Sequence, residues 1–173
     1  MIIDNSIHNL MKYSKVLFII IILFFHPESI SNEIKNISNQ QSLPIEAKFC
    51  LKYHECIYLE VARSKAEQIQ GLMYRHELKD NHGMLFTLDK PREINIWMYN
   101  TFIPLDIIFI KNNRIVKLIN NAIPCYSQNC KKYHSNNIVD SIIELNAGKI
   151  KSLNLSKGDL IEVIKISDTS KKY

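Results

Sequence analysis

One carboxylate interrupts an otherwise apolar stretch of the chain. Asp106 stands in the run LDIIFI at residues 105–110, and alternation along a strand places it on the same face as Ile108. A buried carboxylate needs a partner or must take up a proton. Two interpretations follow. Arg75 could pair with Asp106 and fix the register of the strand, or Asp106 could form the polar floor of a binding pocket.

The pocket interpretation draws on the segment that precedes this strand. The single tryptophan of the chain would supply an apolar wall, and the neighbouring amide and hydroxyl side chains would supply hydrogen bonds. The candidate ligand-binding residues are therefore Arg75, Trp97, Met98, Asn100, Thr101 and Asp106.

A hydrolase is an alternative, because Glu144 could join Asp106 as a carboxylate pair for acid–base chemistry. Alternation instead predicts an exposed Glu144, opposite the core face of its strand. The chain has no Gly-x-Ser-x-Gly elbow, no phosphate-binding glycine loop and no His-Glu-x-x-His pair. We therefore assign no catalytic residue and no cofactor, and favour a non-catalytic binding or accessory module.

Soft-metal binding is a further alternative. Met73, Met84 and Met98 are the methionines that follow the N-terminal segment, and thioethers suit Cu(I). Methionine more commonly packs in cores. We expect core packing, and we predict no metal ligands.

The four cysteines indicate two disulfides. An even number of cysteines in an exported domain favours disulfide pairing, and each pair here is local in sequence: Cys50 with Cys56, and Cys125 with Cys130. Cys125, Cys130 and His134 are ligand types that could hold zinc, but the spacing is loose and no fourth ligand is obvious, although His82 is possible. Disulfides are the favoured interpretation.

The N-terminus has the pattern of a secretory signal peptide. Lys12 and Lys15 precede an unbroken apolar run over residues 16–25, which is too short to span a bilayer. Ser29 and Ser31 are small residues at the −3 and −1 positions of a cleavage site before residue 32. We predict a signal peptide over 1–31, or alternatively an uncleaved anchor, and hence a protein of the periplasm or cell envelope. Met11 is an alternative start.

Composition places the remainder among globular domains. Apolar residues make up 46% and charged residues 23% of the chain, which excludes disordered and collagen-like classes. The net charge is +5, but the lysines are scattered without a basic block, so we predict no nucleic-acid partner. An unidentified envelope protein or a small molecule is the expected partner, with membrane contact only through the signal segment.

The patterning predicts an all-β domain. A polar segment, 32–44, reads as a flexible linker, 45–167 as a single β domain, and 168–173 as a polar tail. We expect an antiparallel β-sandwich or small barrel of about eight strands with one or two short helices, and no βαβ unit; an α+β domain is the alternative. A capping box at Ser64 and Glu67 predicts a helix from Lys65 to about Leu72. The predicted strands are 45–50, 55–62, 82–88, 94–101, 105–110, 114–120, 138–145 and 159–166, with a helical turn over 147–153.

Several short motifs in this domain resemble a known family. They are Gly71-Leu72-Met73-Tyr74-Arg75, Gly83-Met84-Leu85-Phe86, Trp97-Met98-Tyr99-Asn100-Thr101, Pro104-Leu105-Asp106, Glu144-Leu145, Ala147-Gly148 and Gly158-Asp159. Their order and spacing resemble the domain of unknown function 192. Ile96 stands where that family usually has Phe, and only a subset resembles the segment from Pro124 to Cys130. The resemblance implies an all-β, often exported protein and no agreed activity.

Overall fold

The computed structural model describes residues 39–51, 56–127 and 129–166. The predicted signal peptide (1–31) and polar tail (168–173) lie outside the described residues. The described part contains two short helices, α1 (Lys65–Gln70) and α2 (Lys149–Ser152). Its nine strands are β1 (Ile45–Cys50), β2 (Cys56–Ala62), β3 (His82–Arg92), β4 (Asn95–Trp97), β5 (Leu105–Lys111), β6 (Arg114–Ala122), β7 (Lys132–His134), β8 (Val139–Asn146) and β9 (Ile164–Lys165).

Seven strands form one mixed sheet in the order β6-β5-β8-β3-β2-β1-β9, and β4 pairs with β7 in a small second sheet. The all-β prediction is confirmed, and the main sheet does not close into a barrel. The expectation of purely antiparallel pairing is wrong at one place. Strands β2 and β3 run parallel, with α1 in the connection between them, so the chain contains the βαβ unit that the sequence analysis did not expect.

Both faces of the main sheet are buried. One face packs against α2 and the chain that follows it, in a cluster that includes Ile108, Leu145, Ile150 and Ile161. The other face packs against the small sheet and the turn after α1, in a cluster that includes residues such as Met98. The apolar runs of β5 and β8 follow from this arrangement, because every side chain of a doubly covered strand needs an apolar neighbour.

Local signals produce the expected local structure. The Ser64 hydroxyl accepts a hydrogen bond from the Glu67 N–H, and the Glu67 carboxylate accepts one from the Ser64 N–H, so the capping box is confirmed. The hairpin between β5 and β6 turns at Asn112 and Asn113, which have positive φ of 50° and 59°. The strand predicted over 159–166 is observed only at Ile164–Lys165, which pair with β1. The residues before it, 159–163, instead cover one face of the sheet.

Both predicted disulfides are present. Cys50 is bonded to Cys56 across the β1–β2 ladder, and Cys125 is bonded to Cys130 in the segment before β7. Within the described ranges, we find no helix with the length and apolar character to cross a membrane.

Candidate functional site

A cavity of about 470 Å³ opens beside one face of the main sheet. Helix α1 and the turn after it form one side, and β4 forms the other. Strands β3 and β8 contribute the floor. The side chains that line it are mainly apolar, and they include Ile69, Leu72, Met73, Phe86, Leu88, Ile94, Ile96, Trp97, Met98 and Ile142. This volume and lining suit a small apolar molecule.

One carboxyl group lies in the wall of this cavity. Glu144 is 5% exposed and lines the cavity from the central strand β8. Its neighbours in register are Met84 on β3 and Ile107 on β5, neither of which can hydrogen-bond strongly to it. Burial raises the pKa of the Glu144 carboxyl to about 7. The expectation of an exposed Glu144 is therefore wrong, because both faces of its strand are covered.

Three of the six predicted ligand-binding residues line this cavity: Trp97, Met98 and Thr101. Met98 and Thr101 are buried, whereas Trp97 is 41% exposed. A tight turn holds them, since the Thr101 N–H donates to the Met98 carbonyl at 3.0 Å. The Asn100 N–H donates to the Cys125 carbonyl at 2.9 Å, which ties this turn to the disulfide-bonded segment.

Arg75 lies elsewhere and forms a buried ion pair with Glu60. Its two terminal nitrogens each donate to a Glu60 carboxylate oxygen at 2.6 Å. The Gln41 carbonyl accepts a further bond from Arg75, and the Leu43 N–H donates to Glu60. Both partners therefore have their charges and hydrogen-bonding capacity satisfied, which makes the pair structural. The end of the predicted linker is held against the domain by these contacts.

The predicted pair of Arg75 with Asp106 does not form. Asp106 is fully buried on the opposite face of the sheet from the cavity, and its oxygens accept the N–H groups of Asn121 and Ile150 at 2.8 Å each. Asn121 has a positive φ of 54° at an irregularity in β6, and Ile150 lies in the first turn of α2. Asp106 thus satisfies two backbone donors that the sheet and the helix leave unpaired.

Asn100 also has a structural partner. Its side-chain amide donates to the Tyr74 hydroxyl at 2.7 Å, and its carbonyl accepts the Tyr74 N–H at 2.7 Å. Both residues have positive φ, 53° for Asn100 and 65° for Tyr74. These bonds hold two strained turns together beside the cavity.

The carboxylate pair of the hydrolase hypothesis is not assembled. Asp106 is in register with Leu145, so Asp106 and Glu144 lie on opposite faces of the sheet. They cannot act on one substrate.

The three methionines lie on the cavity side of the sheet. Met73 and Met98 line the cavity, and Met84 is buried next to Glu144 in register. Among the described residues, no group of three or more His, Cys, Asp or Glu side chains is placed to hold a metal ion.

The sequence analysis did not predict the burial of Glu144, although a signal for it was available. Strand β8 contains Val139, Ile142, Ile143 and Leu145, so apolar residues occupy both of its faces. A strand buried on both sides also buries the carboxylate that interrupts it. The sequence analysis could not predict that α1 forms one side of the cavity, because the position of α1 is set by the parallel crossover between β2 and β3.

Two solved structures are similar to this chain. One is described as a candidate transcription regulator from Sinorhizobium meliloti 1021; it is 34% identical, covers 72% of this chain and 97% of its own, and has a TM-score of 0.63. The other is a protein of unknown function from Novosphingobium aromaticivorans DSM 12444, also 34% identical, covering 69% of this chain and 86% of its own, with a TM-score of 0.62. No curated protein matches the chain.

The family comparison agrees with the motifs. The model of domain of unknown function 192, described as an uncharacterized ACR, matches residues 48–163. That range contains the cavity, the buried ion pair and both buried carboxylates on β5 and β8. The chain therefore belongs to the domain of unknown function 192 family.

Proposed function

We propose that this protein is an exported module of the cell envelope that binds a small, largely apolar molecule without transforming it. The observation that carries the proposal is the cavity beside α1 and β4, whose walls are apolar and whose volume is about 470 Å³. Pockets for small molecules commonly occupy roughly 300–1,000 Å³ and combine apolar walls with a few polar groups. Glu144 and Thr101 are the buried polar residues of the lining.

Export is supported by the sequence and by the cysteines. Lys12 and Lys15 precede an apolar run of signal-peptide length. Two disulfides are compatible with an oxidising compartment such as the periplasm. A protein of the periplasm or cell envelope is separated from the chromosome, so we do not extend the regulator description of the Sinorhizobium protein to this chain.

Binding is favoured over catalysis by the residues around the cavity. The described residues that line it include no Ser, Cys or His, and Glu144 is the one carboxyl group among them. General acid–base chemistry on a bound molecule usually needs a second positioned group. Asp106, the other candidate, lies on the opposite face of the sheet.

The test uses the single tryptophan. Trp97 lines the cavity and is the one tryptophan of the chain, so its fluorescence reports on this site. The protein purified from an oxidising compartment is titrated with 1-octanol. We expect a saturable change in Trp97 emission. Ile69→Ser, at the cavity wall, should weaken binding about fourfold or more, whereas Ile138→Ser, equally exposed and outside the cavity, should not.

A second candidate function is the binding of Cu(I). It is favoured by the position of Met73 and Met98 in the cavity wall, with Met84 buried beside Glu144. Native mass spectrometry after titration with Cu(I) tests it. One bound copper that is lost in Met98→Leu but kept in Ile138→Ser, a change outside the cavity, would support it, and no bound copper would exclude it.

A further inference from the structure

The Glu144 carboxyl has no partner within the described residues. It makes no hydrogen bond or salt bridge there, although it is 5% exposed. The cavity is the one direction in which it meets space rather than the apolar neighbours Met84 and Ile107. Among the described residues, no fully buried side-chain oxygen or nitrogen lacks a hydrogen-bond partner, so the unpaired oxygens of Glu144 retain some surface toward the cavity, where a ligand can complete them.

A second buried carboxylate on the same face of the sheet shows how such a group is neutralised. Glu60 is also buried, at 5% exposure, and there the two guanidinium N–H groups of Arg75 neutralise and hydrogen-bond the carboxylate. Among the described residues, no cation does this for Glu144. The remaining charged residues of the cavity wall, Lys65 and Arg92, are exposed, and neither forms a salt bridge with Glu144. Glu144 therefore lacks the cationic partner that Arg75 provides for Glu60, and the cation of a bound ligand could take that position.

We propose that the ligand of this cavity is a primary amine with an apolar body, whose ammonium group binds the Glu144 carboxylate. This inference rests on the proposed function and specifies its ligand class. The apolar body lies against walls such as Phe86, Met98 and Trp97. Trp97 lines the same cavity, and tryptophan is the side chain that attracts cations most strongly through its ring face.

The lining argues against the other ligand classes. A fatty carboxylate could reach the exposed Lys65 and Arg92 of the cavity wall, but in the buried part of the cavity it would place a second negative charge beside the Glu144 carboxyl. A hydrated metal ion would find one carboxylate and mostly apolar walls, and no cluster of three metal-ligating side chains occurs in the described residues. A neutral alcohol can occupy the apolar space but cannot neutralise Glu144.

The experiment compares octylamine, 1-octanol and octanoate by Trp97 fluorescence. We expect octylamine to bind at least about tenfold more tightly than octanol at pH 8. Glu144→Gln should abolish this preference by weakening octylamine binding. The matched control, Glu162→Gln, changes an exposed carboxylate outside the cavity and should have no effect.

The pH dependence of binding to the wild-type protein provides a second test, which does not require the Glu144→Gln variant to fold. Burial raises the pKa of Glu144 to about 7, and the amine stays charged well above this. Octylamine affinity should therefore rise about tenfold from pH 6 to pH 8 as Glu144 loses its proton, while octanol affinity stays flat.

The outcomes separate the two proposals. If octanol binds but octylamine shows no preference, or if Glu144→Gln keeps the preference, the ligand class is wrong and the apolar cavity still binds small molecules. Tighter binding of octanoate than of octylamine would also overturn the amine proposal. If none of the three probes changes Trp97 emission, the proposed function fails as well.

Discussion

Glu60 and Glu144 lie two strands apart on the same face of the main sheet, with Met84 between them in register. The strand spacing puts their Cα atoms roughly 10 Å apart. Glu60 is paired with Arg75, and Glu144 faces the cavity without a cationic partner among the described residues. Two carboxylates of equal burial thus have different surroundings, and we propose that only the second is available to a ligand.

The unpaired carboxyl should make stability depend on pH. Glu144 has a folded pKa of about 7, raised by burial above its usual value of 4.5. The stability contributed by the protonated form is full below pH 4.5 and is lost as the pH rises through 7, a loss of about 3 kcal/mol. Glu144→Gln should match the wild type at pH 4.5 and exceed its unfolding free energy by up to that amount at pH 8. Urea unfolding at both pH values measures this, and a constant difference would contradict it.

The ion pair between Glu60 and Arg75 should be costly to break from one side. Arg75→Met leaves a buried, unpaired carboxylate and should lower the unfolding free energy by about 3–5 kcal/mol. The double variant with Glu60→Gln removes that charge and should recover part of the loss. The exposed pair of Arg63 with Glu46 provides the control, since Arg63→Met should cost under about 1 kcal/mol.

The ion pair should also hold the segment before β1. Leu43 donates its N–H to Glu60, and the Gln41 carbonyl accepts from Arg75. Hydrogen exchange at the Leu43 amide should therefore accelerate in Arg75→Met and not in Arg63→Met. Equal exchange in both variants would mean that the segment is held by other contacts.

Asp106 should prove to be a structural residue. Asp106→Asn replaces a carboxylate that accepts two backbone N–H bonds, from Asn121 and Ile150, and should cost about 2–3 kcal/mol. The octanol affinity measured by Trp97 fluorescence should not change, because Asp106 lies on the other face of the sheet. Asp140→Asn, at an exposed hydrogen bond to the Asn112 N–H, is the control and should cost less. Lost binding in a stable Asp106→Asn protein would contradict this role.

The features that the sequence predicted correctly depend on residues close together in the chain. The capping box uses Ser64 and Glu67, three residues apart. The hairpin needs two adjacent residues that tolerate positive φ, and Asn112 and Asn113 meet that need. The two disulfides join cysteines five and six residues apart. The capping box, the hairpin turn and the disulfides each depend on residues close together in the chain, so their sequence patterns are sufficient to predict them.

The features that were missed depend on distant segments. The parallel pairing of β2 with β3 is not marked by any residue type, because the helix α1 in their connection has only six residues and lacks a strong helical pattern. Arg75 could pair with any buried acid that the fold brings near it, and the fold brings Glu60 rather than Asp106. Trp97, Met98 and Thr101 were recognised because they are consecutive or nearly so, whereas Glu144 reaches the same cavity from a strand more than forty residues away.

The two disulfides should differ in what they support. Each closes a loop of similar length, so the double alanine variant of either pair should lose about 2 kcal/mol of stability. The backbone at Cys125 forms bridges with Tyr99 and Thr101, and thereby supports the turn that carries Thr101 into the cavity. Cys50 and Cys56 join β1 to β2, and neither lines the cavity.

Loss of the Cys125–Cys130 bond should therefore weaken octanol binding several-fold and speed hydrogen exchange at the Thr101 amide, because the turn loses its anchor. Loss of the Cys50–Cys56 bond should leave both measurements unchanged at equal cost in stability. The two double variants are matched in chemistry and loop length, so a difference in octanol affinity between them would result from where each disulfide lies relative to the cavity. Equal binding in the two would show that the hydrogen bonds of Asn100 to Tyr74 hold the cavity wall without the disulfide.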